Sequence, residues 1–288
     1  MQREFCLGSE WLYYKIYAGV KTADYILLEK LKPIISKLES KKIIIQWFFI
    51  RYKDTDEHLR LRILMRNTKH LNEIIQEFNI VFNELLGQNL VWKIQTDTYK
   101  KEIERYGKNT ILDSEYLFWK DSKMIFKYLK IKSSFKEQEF PLLFSFLAID
   151  TFLNTFQLIN DDKVSLLNSL QGSFKTEFEN NTGLKKDLSK SYRILYPQIK
   201  ELLSNDSLES FCAIHNIVNK KSKSIAKRAI KIKSKIEVPL ESFLSSHIHM
   251  MINRQYTSKQ RNYELIIYDH LYKYYKSSNY IYHNRMSE

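Results

Sequence analysis

From residue 43 the chain runs IIIQWFFIRY, an apolar stretch rich in β-branched and aromatic residues. It is too short for a lone amphipathic helix and reads as a strand buried on both faces. The polar, turn-prone KDTDE of residues 53–57 follows, so residues 58–65 are expected to return as a hairpin partner. Side chains alternate on that second strand: His58, Arg60 and Arg62 share one face, and Leu59, Leu61 and Ile63 share the other. Upstream, residues 10–18 (EWLYYKIYA) predict a strand closed by Gly19, and a helix begins at Thr22. Its inner stripe is Ala23, Ile26, Leu27, Leu31, Ile34, Ile35 and Leu38, with a kink or break expected at Pro33. A second helix is predicted over residues 69–86, ending at Gly87, and a further strand over residues 90–98.

Beyond Tyr99 the pattern changes to helical periods. Helices are expected at residues 114–129, 139–159, 163–179, 185–204, 207–232, 240–254 and 257–275, with Pro141, Gly172, Gly183, Pro197 and Pro239 as their breakers. The fold class is therefore α+β: a mixed or antiparallel N-terminal sheet layer packed with helices, and a mostly helical C-terminal half. Six glycines and four prolines leave no flexible linker, so residues 1–288 are expected to form one domain, sheet-rich over 1–110 and helical over 111–288.

Composition narrows the function. Hydrophobic residues at 44% supply a core, and no run of about 18 apolar residues suggests a membrane span. The N-terminus MQREFCLGSEW lacks an apolar signal core, so a cytoplasmic location is expected. Cys6 and Cys212 stand alone, without CxxC or metal-type spacing, so neither a disulfide framework nor a bound metal is expected. The net charge of +13 is mostly dispersed lysine, and only residues 220–235 (KKSKSIAKRAIKIKSK) form a dense cluster. That cluster fits a solvated face or a surface attracting an acidic partner. Walker, GxGxxG, GxSxG and HExxH motifs are absent, which disfavours nucleotide-dependent catalysis, and no cofactor is expected.

Three constellations carry candidate chemistry. The row His58, Arg60, Arg62 is either an edge strand with a solvated basic face or a pocket floor that binds carboxylates through paired guanidinium donors. In YKKEIERYG, residues 99–107, a helical turn would align Glu102 with Arg105; a surface ion pair is the plain account. In SHIHMMINR, residues 246–254, Ser246, His249, Asn253 and Arg254 lie along one helical side, where His249 fits a satisfied core histidine as well as an acid/base.

Taken in order, GSEWLYYKIYAG, WFFIRYKDTDEHLRLR, YKKEIERYG and HMMINR resemble the C-terminal domain of class I lanthipeptide dehydratases, which also occurs alone as a thiopeptide-type bacteriocin biosynthesis protein. The resemblance covers about residues 8–254. Each motif is weak singly; four in order are a fairly specific signal. It implies a lyase that eliminates glutamate from O-glutamylated Ser or Thr of a precursor peptide, leaving dehydroalanine or dehydrobutyrine. A separate glutamyl-tRNA-dependent protein would install the glutamate. It further implies catalytic roles for His249, Arg62 and Arg105, and substrate-binding roles for Arg60, Glu102, Arg51, His58, Asn253 and Arg254. Arginines suit a departing carboxylate, and His249 suits proton transfer. Direct tRNA binding is disfavoured, and homodimers are frequent among related dehydratases. One departure stands out: the family pattern YGG here reads Gly107 then Lys108, a lysine that would narrow or charge a pocket rim. Two rivals remain open. One is a pyridine-forming [4+2] cycloaddition enzyme on the same fold; the other is a non-catalytic subunit that binds the precursor peptide.

Overall fold

The computed structural model describes residues 1–135, 139–177, 183–204 and 211–286, with side chains for the same residues apart from 175–177 and 279–286. The chain divides into two compact units. The first comprises Met1–Ser133, Lys235–Val238 and Asn253–Ser258; the second comprises Ser134–Ser234, Pro239–Ile252 and Lys259–Glu288.

In the first unit, β2 (Trp11–Ala18), β3 (Ile44–Lys53), β4 (Glu57–Met65) and β5 (Val91–Thr96) form an antiparallel sheet in the order β3-β4-β2-β5. The short strands β1 (Glu4–Phe5) and β6 (Tyr99–Lys100) pair separately. The expected β3–β4 hairpin forms, with Phe48 opposite Arg62 and Tyr52 opposite His58. One open alternative is decided and one expectation changes. Strand β4 is interior, flanked by β2 and β3, so the row His58, Arg60, Arg62 is not a solvated edge. Strand β3 is itself an edge strand, buried at Trp47, Phe48, Phe49 and Arg51 but exposed at Ile45 and Tyr52. The opposite sheet face, with Tyr14, Leu61 and Ile63, is buried, and Tyr14 meets Phe78 and Phe82 of α3 (Leu71–Gly87) at 5.6 and 5.0 Å.

The edge of β3 does not end in water. The backbone N–H of Phe49 donates to Ser122 Oγ (3.2 Å) on α5 (Ile111–Lys132), and Phe49 O accepts from Arg254 Nε (2.8 Å). Two residues on, Asn253 Oδ1 accepts the N–H of Arg51 (3.0 Å) while its Nδ2 donates to Arg51 O (2.8 Å). One asparagine side chain thus copies the two bonds that a neighbouring strand would make, which removes a pairing edge.

Before β3, α1 (Ala23–Tyr25) widens into a π turn over Ile26–Leu31 and continues as α2 (Lys32–Ser40). Pro33 falls at the start of α2, so its missing amide is absorbed at that junction without breaking the run.

The second unit is helical: α6 (Phe140–Thr155), α7 (Asn160–Glu177), α8 (Leu184–Leu203), α9 (Cys212–Lys235), most of α10 (Leu240–Gln255), and α11 (Gln260–Met286). Two expected breakers sit inside helices. Gly172 lies within α7, where one glycine costs only about 1 kcal/mol. Pro197 lies within α8; it and Arg193, whose carbonyl loses its partner, are exposed, so water can replace that bond. The end of the helix expected at 163–179 and the start of that expected at 207–232 fall outside the described residues. Among the described residues no helix is long and apolar enough to cross a membrane.

Burial lowers the pKa of three histidines, His58, His215 and His270, from the ordinary value of 6.5. Below that value the unfolded chain takes up protons that the folded chain refuses, so their contribution is complete above pH 6.5 and is lost as pH falls. The thermal midpoint is therefore expected to drop between pH 7 and 5, before ordinary carboxylates titrate, and His270→Gln should flatten that slope. Calorimetry across this window checks it.

Candidate functional site

The site in the first unit grows from β4. His58 has a fully buried side chain; its Nδ1–H donates to Asp56 O (2.9 Å), and its Nε2 accepts from Arg60 Nε (3.1 Å). Desolvation lowers its pKa, so the neutral ring acts as an acceptor that aims Arg60, whose guanidinium lies 3.4 Å over the Tyr52 ring. Arg62 is 8% exposed and faces three rings: Tyr13 at 4.5 Å, Tyr99 at 5.3 Å and Phe48 at 5.4 Å. No carboxylate pairs with it among the described residues, and its Nε has no hydrogen-bond acceptor. Burying an unpaired cation is costly, and the ring faces offset part of that cost.

YKKEIERYG supplies the next residues. Tyr99 donates its OH to Glu115 (2.7 Å), which lies 3.6 Å from buried Lys101. Burial raises the Glu115 pKa, and burial with Glu115 pushes the Tyr99 phenol well above its ordinary range. The short helix α4 (Ile103–Tyr106) carries Arg105, whose Nε lies 3.3 Å from Glu102; both side chains are about half exposed. Burial, then Glu102, raises the Tyr106 phenol pKa, while Arg105 and Arg254 pull the other way. Arg62 and Glu102 act on Tyr99, and Arg62 also acts on Arg254. Arg62, Arg105, Arg254 and Glu102 therefore share one electrostatic neighbourhood. Gly107 closes α4 at φ 77°, and a Cβ there would meet Thr110 Oγ1 at 2.7 Å, so the turn needs glycine.

Arg51, Asn253 and Arg254 line the β3 edge. Beyond the bonds described above, Arg51 donates from Nε to Arg254 O (3.0 Å) and pairs with Asp24 (2.5 Å). Arg254 is fully buried, 3.7 Å from Asp121.

His249 belongs to the second unit. Its Nδ1 lies 2.5 Å from Glu264 Oε1, a buried carboxylate that also accepts from Tyr268 OH (3.2 Å) and Arg261 (3.5 Å). The His249 side chain is 38% exposed. Sequence reasoning missed Glu264 and Tyr268. Their signal was available: on α11 Glu264 opens a buried stripe with Tyr268, Leu271 and Tyr275, an acid on an apolar face. The acids of α5, Glu115 and Asp121, were missed for the same reason. Among the described residues no cluster of His, Cys, Asp and Glu is arranged to hold a metal.

The chain matches the family described as lantibiotic biosynthesis dehydratase C-term over residues 11–275. It is 24% identical to the subtilin biosynthesis protein SpaB of Bacillus subtilis over 64% of this chain and 18% of that protein. It is 27% identical to the nisin biosynthesis protein NisB of Lactococcus lactis subsp. lactis over 70% of this chain and 21% of that one. The chain thus spans about a fifth of the length of these relatives. Among solved structures, the tRNA dependent lantibiotic dehydratase MibB from Microbispora sp. 107891 superposes with a TM-score of 0.73 at 17% identity, over 93% of this chain and 28% of that one. The pyridine synthase TbtD from thiomuracin biosynthesis superposes at 0.59 and 12% identity, over 93% of this chain and 99% of that one. At these identities the structures share the fold. The family match runs through the sheet, the YKKEIERYG turn and the helices, and the chain belongs to the lantibiotic biosynthesis dehydratase C-terminal family.

Proposed function

We propose that this chain is a lyase that eliminates glutamate from glutamylated Ser or Thr of a precursor peptide. The observation that carries the reading is Arg62: a buried guanidinium, ringed by aromatic faces and without a carboxylate partner among the described residues. In the reaction the Cα–H bond and the Cβ–O bond break, a Cα=Cβ bond forms, and glutamate departs with the electron pair on its ester oxygen. A guanidinium offers two parallel donors to that growing carboxylate. Arg105, half exposed beside Glu102, is assigned to the glutamyl group, and Arg60, aimed by His58, to the same anion. His249 moves a proton through Nε2, with Glu264 fixing the ring by its other nitrogen. Arg51, Asn253 and Arg254 support the site by holding β3. The peptide would reach this chain already glutamylated by a glutamyl-tRNA-dependent activity.

Mass spectrometry of a glutamylated precursor peptide with and without the protein tests the reading. The expected result is loss of one glutamate per site, leaving dehydrated residues, with His249→Ala slowing release about a hundredfold. Persistence of the glutamylated peptide, with an already dehydrated peptide split into leader and macrocycle, would install the cycloaddition reading instead.

A further inference from the structure

The two edges of the four-stranded sheet are treated differently. At β3 the outward backbone groups of Phe49 and Arg51 are taken up by Ser122, Asn253 and Arg254. At β5 they are open. Asp97 donates its N–H to Tyr13 O, so by the two-residue alternation of an antiparallel ladder Gln95 and Lys93 bond inward to β2. Ile94 and Thr96 then turn their N–H and C=O groups outward, and among the described residues nothing takes them. The strand is also bare at its side chains: Trp92 is 51% exposed, and Lys93, Gln95 and Thr96 are exposed.

We propose that the β5 edge is a docking strand for an extended, acidic segment of the substrate peptide, which pairs with Ile94 and Thr96 as a fifth strand. This deepens the elimination reading, on which it rests only for the identity of the peptide. Main-chain bonds to an open edge give affinity that is largely blind to sequence, while alternate side chains give preference. The preference here is for carboxylates. Lys93 and Gln95 lie on the same face as His58, Arg60 and Arg62, because Lys93 pairs across Tyr17 with His58 and Gln95 across Lys15 with Arg60. Every second residue of an added strand would stand on that cationic face. Lys93 has no carboxylate partner among the described residues and rests 4.7 Å from the Tyr17 ring, whereas Lys15 is already paired with Asp97 at 2.6 Å.

Three strand spacings, about 14 Å, separate an added strand from β4. About four extended residues bridge that distance, so a peptide held at β5 can still deliver a downstream residue to Arg62. A second copy of this chain is a poorer occupant, since its net charge of +13 would oppose edge-to-edge pairing. A lone edge lysine is a common guard against such self-pairing, and the same charge attracts an acidic chain.

The test is fluorescence anisotropy of the full chain with a labelled octapeptide of alternating Glu and Val, plus two versions N-methylated on one or the other alternate set of backbone amides. Edge pairing expects one N-methylated peptide to bind normally and the other at least tenfold more weakly. Thr96→Pro, which removes an outward donor and leaves the inward ladder, and Lys93→Glu should each weaken the parent peptide at least tenfold. Equal binding of both N-methylated peptides, or no binding of any, overturns the proposal. So does a labelled RNA of equal charge competing through Lys93 alone, or a dimer in sedimentation that Thr96→Pro abolishes. On glutamylated peptide, Thr96→Pro should raise KM and leave kcat unchanged. Intact probe binding by a protein that releases no glutamate would reject the elimination reading and leave the docking strand standing.

Discussion

Arg62→Lys is expected to slow glutamate release by about 10²–10³-fold while the protein stays folded, because a lost donor to a developing oxyanion costs about that much. Charge is retained in this variant; the fork is not. Lysine offers a compact point charge that cannot give two parallel bonds to one carboxylate and cannot stack flat against Tyr13, Phe48 and Tyr99. Arg62→Met separates function from structure. A buried cation that pairs with no acid among the described residues contributes little to folding, so methionine should leave the thermal midpoint unchanged or raise it while release stops. Release assays and calorimetry on the two variants give the answer together. Rates within fivefold of the parent in Arg62→Lys would remove Arg62 from the chemistry; a collapse of the midpoint in Arg62→Met would make it a structural residue.

Much of this arrangement was legible in the chain because it rests on local periodicity. KDTDE fixes the β3–β4 hairpin, and the alternation of HLRLR puts His58, Arg60 and Arg62 on one face whatever the sheet around them. The neighbours were not legible, since strand order is decided by which elements pair over long separations. Strand β2, earlier in the chain, covers the other side of β4, which rules out the edge-strand alternative. The same limit hid the partners of the motif residues. Nothing near HMMINR shows that Asn253 and Arg254 meet a strand some two hundred residues earlier, or that His249 meets Glu264 on the next helix. Gly172 and Pro197 failed as breakers for another reason: each penalises a helix by a few kcal/mol at most, and the packing of α7 and α8 outweighs it.

Arg254 carries the largest expected effect on stability. Its Nε holds the carbonyl of Phe49, its guanidinium lies 3.7 Å from Asp121 and 5.1 Å from the Phe118 ring, and both Arg254 and Asp121 are buried. Burial pulls the arginine's pKa down and Asp121 holds it up. Arg254→Ala removes the cation 3.7 Å from buried Asp121 and the donor to a strand carbonyl, and about 3–5 kcal/mol of stability is expected to go with them. Asn253→Ala, which loses two bonds to Arg51 but strands no charge, should cost less, about 1–3 kcal/mol. The double variant Arg254→Met with Asp121→Leu should recover much of the loss, because an apolar pair of similar volume avoids desolvating two charges. Urea midpoints at constant slope measure all three. A cost below about 1 kcal/mol for Arg254→Ala, well short of what breaking a buried pair entails, would sink the sealing role and return Arg254 to the substrate-binding set that the family resemblance implied. The expected order, Arg254→Ala worst, Asn253→Ala next and the double variant least affected, would mean that the HMMINR motif ends in two residues that hold the sheet edge shut.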